Sequence, residues 1–206
     1  MSNDIRIAIS GKSGCGNSTV SALVAEQLGL VLVNYTFKSV AVELGISFAE
    51  VCRRAEKDTG YDRRVDKRQV EMAEANPCVL GSRLAVWLLK NADLRVYLEA
   101  EPVTRARRIQ KREGGDLDEI FEKTVERDRR DRARYLNLYN IDIDAYNFVD
   151  LIIDILFSAH GWNDSTHRKY LGAGAFFCRW FRIPFAEMST WGGTNDCRPE
   201  SMGSLW

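Results

Sequence analysis

A turn of glycines and small polar residues, Gly11-Lys12-Ser13-Gly14-Cys15-Gly16-Asn17-Ser18-Thr19, follows without a break on the apolar run Ile5-Arg6-Ile7-Ala8-Ile9-Ser10. Behind it Val20, Leu23, Val24 and Leu28 recur at helical spacing. Strand, glycine turn and helix in that order constrain the fold strongly, because this is the context in which a loop wraps an anion. The glycines let backbone approach oxygen atoms closely, and the turn aims several N–H groups at one point. The helix that opens at Ser18 adds its positive end. An ordinary strand-to-helix turn explains the segment less well, since Gly11, Gly14, Gly16 and Ser18 all sit at phosphate-loop spacing. Residues 11–19 therefore read as the site for the phosphates of a nucleotide, with the Ser18 hydroxyl on a magnesium ion that bridges them.

One position departs from the pattern G-x-x-x-x-G-K-[ST], because Asn17 stands where lysine is required. An amide donates hydrogen bonds to phosphate but brings no charge, a loss of about 2–3 kcal/mol in a partly desolvated site. Lys12, early in the same loop, is a candidate replacement. The competing reading, a solvated loop lysine, stays open.

The chain has 206 residues, enough for one domain with a full core. Its 29 basic side chains equal its 29 acidic ones, so global charge points to neither nucleic acid nor a membrane surface. No apolar run approaches the ~20 residues that span a bilayer, and the polar start Met-Ser-Asn-Asp does not resemble a signal peptide. Five irregularly spaced cysteines suggest neither a disulfide framework nor zinc. The expectation is a reduced, cytoplasmic monomer. Cys15 reads as a small loop residue whose thiol, at a helix N-terminus, is lowered in pKa and open to oxidation.

Brief apolar runs at 5–10, 30–33, 78–80, 94–98 and 151–153 alternate with helical stretches at 18–28, 36–44, 47–75 in two pieces, 83–90, 102–112 and 116–138. Nearly continuous apolar character is the mark of buried parallel strands, so the class is an α/β sandwich. Ser47 ahead of Glu50 and Pro102 at a first turn are capping signals. Residues 47–75 and 104–134 are crowded with charge and hold few apolar anchors. Any single arginine there reads best as part of a solvated face, whereas the two segments as wholes suit an acceptor lobe and a lid that close over phosphates.

The chain resembles the cytidylate kinases, in particular their short archaeal and spirochaetal type, over roughly residues 4–155. The resemblance rests on the loop 11–19, Asn34-Tyr35-Thr36-Phe37-Lys38, Asp62-Arg63-x-x-Asp66-x-Arg68-Gln69, Gly81-Ser82-Arg83-Leu84-Ala85-x-Trp87 and Arg105-Ala106-x-Arg108-Ile109. It continues through residues 126–135 and Tyr139-x-Ile141-Asp142. It implies a P-loop kinase domain over 1–156, a three-layer sandwich whose five-stranded parallel sheet runs 2-3-1-4-5 with helices on both faces. The acceptor lobe falls at about 36–75 and the lid at about 105–135. It also implies phosphorylation of CMP or dCMP by ATP with Mg²⁺. Carried over by position, Lys38 and Arg83 bind the acceptor phosphate, while Arg127, Asp131 and Arg134 form the lid face. Asp131 and Arg134 touch substrate there, and Arg127 and Arg134, with Lys12, act on the transferring group. Trp87 and Tyr135 read as packing residues. Besides Asn17, the chain departs from the pattern at Lys38, where arginine is common, and at Gly81, where an acidic residue often stands.

The last 50 residues lie outside the resemblance. They hold both histidines, four of the five tryptophans and few charges. An accessory interaction segment, an added lid and out-of-frame translation past residue 156 all remain open, the last being preferred. Two further readings of the whole chain stay in view: another small-molecule kinase on this scaffold, and a non-catalytic nucleotide-binding protein, motivated by Asn17.

Overall fold

In the computed structural model, residues 5–155 and the backbone of 170–172 are described. Five short strands, β1 (Arg6–Gly11), β2 (Val31–Val33), β3 (Cys78–Gly81), β4 (Leu94–Glu99) and β5 (Leu151–Asp154), pair in parallel in the order β2-β3-β1-β4-β5. A sixth, β6 (Tyr170–Gly172), adds to the β5 edge in parallel, an element the sequence did not announce. The register is direct: Ile7 lies between Val79 and Leu94, and Tyr97 lies beside Ile152. The strands read as continuous apolar runs because both faces are covered. Ile7, Ile9, Val79, Val96, Leu98 and Ile153 point to one side, against Val20 and Val24 of α1 (Asn17–Leu28). The residues between them, Ala8, Leu80, Tyr97 and Ile152, point to the other, against Trp87 and Tyr135.

The remaining helices are α2 (Phe37–Leu44), α3 (Phe48–Ala55), α4 (Gly60–Ala75), α5 (Ala85–Leu88), α6 (Pro102–Glu113) and α7 (Leu117–Tyr139). The expected caps form: Ser47 accepts the Glu50 amide at 3.1 Å, and Pro102 sits at the first helical position of α6. The charged 47–75 stretch is better anchored than its composition suggests. Val51 and Val65 join Tyr35, Val40 and Ala41 in a small core of their own, which makes α2–α4 a packed lobe. Trp87 and Tyr135 are buried, as packing residues should be.

In the centre of the sheet the connections diverge: β1 is flanked by β3 and β4, so the carboxyl ends of these strands open a crevice at the switch in strand order. The glycine turn leaves β1 there. The tail readings for 157–206 lie outside the described residues, apart from the three-residue backbone of β6. Among the described residues, no helix is long and apolar enough to cross a membrane.

Candidate active site

The turn after β1 needs its glycines for three different reasons. A Cβ on Gly11 would lie 2.8 Å from the Leu98 carbonyl oxygen, so β1 and β4 could not approach as they do. Gly14 and Gly16 have φ of 84° and 86°, in the left-handed region, and a Cβ on Gly14 would also meet that of Arg105 at 2.9 Å. Gly16 is the N-cap of α1 and has no side chain to satisfy the first-turn amides, which leaves those amides for an anion, while the Cys15 N–H donates to the Lys12 carbonyl at 3.1 Å. Ser18 and Thr19 are exposed on this first turn, where a hydroxyl can reach a metal held by phosphate.

Cys15 corrects the expectation of a reactive thiol. It is 1% exposed and packs with Ile9, Val20 and Leu98. Burial pushes its pKa up to about 11, and the positive charges of Arg105 and Arg108 offset this only in part. The dipole that lowers a solvated thiol has little to act on when ionisation itself is disfavoured.

Lys12 and Asn17 meet quite different surroundings. The Lys12 ammonium lies 2.7 Å from Asp144, in the loop between α7 and β5. Asp144 also lies 3.4 Å from Arg132, which grips Asp142 with two hydrogen bonds of 2.7 and 2.6 Å. Asn17 turns towards β3: its Nδ2 donates to the Ser82 carbonyl at 3.2 Å, and its Oδ1 accepts from the Ser21 hydroxyl at 3.0 Å.

The family-pattern residues Arg83, Asp131 and Arg134 are brought together from two elements. Arg83, just past β3, lies 2.8 Å from Asp131 on α7, and Arg134 lies 3.2 Å from Asp131 on the same helix face. Arg134 also approaches Asp62 of α4 at 3.5 Å. One oxygen of Asp62, the hydroxyl of Ser82 and Nε of Arg134 are buried without partners among the described residues. Burial raises the Asp62 pKa from its ordinary value despite Arg134. Arg127, one turn before Asp131, makes no ion pair among the described residues. Burial by protein and then the like charge of Arg83 pull its pKa down, and the charges of Asp131 and Glu113 offset this only in part. Lys38 is exposed at the start of α2, and no hydrogen bond or ion pair joins it to this cluster.

A second latch closes the back of the loop. Arg105 on α6, read in sequence as part of a solvated face, is 2% exposed. Its guanidinium donates to the carbonyls of Ala100 and Ser13, both at 3.1 Å, and to both oxygens of Asp128 on α7 at 3.2 and 2.6 Å. The solvated reading fails because one fork satisfies three separate backbone and carboxylate acceptors, a set that lysine cannot serve. Arg108, three residues on, reaches the Gly14 carbonyl at 3.4 Å. Neither was a candidate site residue from sequence. Their spacing of three places them on one helix face, but nothing in that spacing tells which face meets the loop.

A model of the cytidylate kinase-like family matches residues 6–156. The chain belongs to this family. Among its curated relatives, a protein of Borreliella afzelii named cytidylate kinase 2 is 46% identical over 155 residues, 73% of this chain and 87% of that one. The cytidylate kinase of Pyrococcus horikoshii is 44% identical over 150 residues, 72% and 78% of the two chains. Among solved structures, a shikimate kinase from Bacteroides thetaiotaomicron superposes with a TM-score of 0.52 at 16% identity. That alignment covers 73% of this chain and 85% of that one, a likeness of fold alone. The cluster around Arg83 and the loop after β1 both lie at the carboxyl end of the sheet, Arg83 just past β3 and the loop just past β1. The α4 carboxylates Asp62 and Asp66 belong to a motif quoted for the family but were given no role in advance; Asp62 reaches the cluster through Arg134. Asp66 accepts the Tyr139 hydroxyl at 2.7 Å.

Proposed function

We propose that this chain transfers the terminal phosphoryl group of ATP to CMP or dCMP, giving ADP and CDP or dCDP. The observation that carries the proposal is the joining of Arg83, Asp131, Arg134 and Asp62 beside Arg127, which makes no ion pair among the described residues, in a family of cytidylate kinases. The N–H groups of residues 14 and 16–19 hold the donor phosphates, the Cys15 N–H being taken by the Lys12 carbonyl, with Lys12 at the mouth of the loop. Mg²⁺ suits the residues present, since it keeps several waters and binds through few protein oxygens plus substrate phosphates. Ser18, exposed on the first turn of α1, would offer one such oxygen, and the ion would supply positive charge to offset that of the phosphates.

Arg83, Lys38 and Arg134 serve the acceptor phosphate, and Arg127 and Arg134 close on the transferring group. Asp131 accepts from the sugar. The unpartnered Asp62 oxygen is an acceptor that the cytosine amino group can use and that the uracil carbonyl at the same ring position cannot. No general base is required, because transfer of this kind is driven by positioning and charge neutralisation. ADP release measured across CMP, dCMP, UMP, AMP and GMP tests the reading. A cytidine nucleotide should be the best acceptor. Faster turnover of AMP or UMP sinks the acceptor assignment, and binding of ATP without any turnover would mark a non-catalytic protein. Arg83→Ala should lower kcat/KM for CMP about thirtyfold or more, the equivalent of about 2–3 kcal/mol for one charged phosphate contact.

A further inference from the structure

Position 17 is where a phosphate-gripping lysine is required by the loop pattern, yet the Asn17 amide is engaged elsewhere. Its nitrogen donates to the carbonyl of Ser82 and its oxygen accepts from Ser21 one turn along α1. The same carbonyl accepts the Ser10 hydroxyl at 2.9 Å, and that hydroxyl accepts the Val86 amide at 3.2 Å. Ser82 also donates its own amide to the Ile9 carbonyl at 3.2 Å. The peptide that links Ser82 to Arg83 is thus fixed by β1 on one side and by Asn17 on the other.

Gly81 completes the set. A Cβ there would fall 2.3 Å from the Ser21 hydroxyl, 2.7 Å from the Ser21 Cβ and 3.4 Å from the Asn17 oxygen. Asn17, Ser21 and Gly81 therefore pack as one close group. The glycine that replaces a carboxylate and the asparagine that replaces a lysine answer one another, since a larger residue at 81 would displace the partners of Asn17.

We infer that Asn17 is a positioning residue for the acceptor side of the crevice, holding the Ser82–Arg83 peptide so that Arg83 meets its ligand ready-placed. The lysine it replaces in the pattern would serve the donor side instead. The groups that this peptide carries point the same way: the buried, unpartnered Ser82 hydroxyl and the Arg83 guanidinium, which pairs with Asp131. A hydrogen bond from a neutral amide contributes modestly, so its loss should act as a several-fold effect on one ligand and leave catalysis in being. The inference rests on the proposed acceptor reaction.

The test uses the full chain and compares wild type with Asn17→Ala, Arg83→Ala and the double variant. Equilibrium affinities for CMP and for ATP are measured separately, together with kcat. Asn17→Ala should weaken CMP about five- to tenfold and change ATP affinity less than twofold. In the Arg83→Ala background, the same substitution should add little further loss of CMP affinity, because its effect runs through Arg83. Ser21→Ala, which frees the Asn17 oxygen but keeps the amide bond to Ser82, should give a smaller loss of the same kind. An ATP affinity that falls more than the CMP affinity would overturn the inference. So would a full, additive loss in the Arg83→Ala background. A wild type that turns over no cytidine nucleotide removes the proposed reaction, and the inference with it, whereas normal CMP turnover with a donor-side effect removes the inference alone.

Discussion

Lys12 and Arg127 carry the same formal charge and meet opposite surroundings. Lys12 is paired with Asp144, so part of its field is cancelled before a phosphate arrives. Arg127 has no ion-pair partner among the described residues and is held near Arg83, a like charge that an incoming anion relieves. A cation that is not tied into an ion pair has more to give where negative charge develops. Arg127→Ala should therefore lower kcat about a hundredfold, or ~2.7 kcal/mol, and Lys12→Ala only about tenfold. Steady-state kinetics with saturating ATP and CMP check the ordering, and equal or reversed losses contradict it. Cys15 gives a second residue-level expectation. Because burial holds the thiol near 11, it should resist alkylation at pH 8 in the native chain and react on unfolding. Asp62→Asn should narrow the preference for CMP over UMP, as read from the ratio of their kcat/KM values, since an amide can donate to the uracil carbonyl.

Helices α4 and α7 meet along a seam that joins the packed α2–α4 lobe to the long helix α7. Asp66 accepts from Tyr139, Arg134 pairs with Asp62, and the Arg63 guanidinium lies 5.9 Å from the Tyr139 ring centroid. Burial, and then the charge of Asp62, raise Asp66 to about 6, while Tyr139, Arg134 and Arg83 hold it down. A carboxyl raised on folding binds its proton more tightly in the native state. Its contribution is complete below the unfolded value near 4 and is lost as pH rises through about 6. Asp66→Asn keeps an acceptor for Tyr139 and has no charge to bury, so it should gain about 1–2 kcal/mol at pH 7 and little at pH 4. Denaturant titrations at the two pH values read the difference, and an equal effect at both would show that Asp66 stays ionised. At the other seam, Arg105→Ala leaves Asp128 without its partner and should cost about 3 kcal/mol or more. The strands and helices were legible in the sequence because hydrophobic period and caps are local signals. Arg105 was not, because a buried fork looks like any other arginine until its three acceptors, drawn from α7, the loop and the end of β4, are assembled around it.

Across the whole molecule, the α/β class and the five parallel strands follow from the alternation of apolar runs with helices, whereas their order was expected only through the resemblance to the family. The grouping of Arg83, Asp131 and Arg134 was readable only through the family pattern, and Asp62 was given no role there: Arg83, Asp62 and the two α7 residues lie on separate parts of the chain, and spacing alone gives no reason to join them. The partner of Asn17 was hidden for the same cause, its amide being tied to a carbonyl in another strand's loop. The two main core clusters draw on residues 5–155. A chain truncated after residue 156 should therefore still unfold cooperatively, as followed by circular dichroism in denaturant, and a non-cooperative transition would assign the tail a part in the core. The latch between Ser13 and Arg105 spans 92 positions, and Arg105 is itself held by Asp128, further on. During synthesis the glycine turn leaves the ribosome long before the groups that lock its back. A nascent chain that ends short of α7 has a phosphate loop in sequence and no finished receptacle, so nucleotide capture belongs to the last stage of the molecule's making.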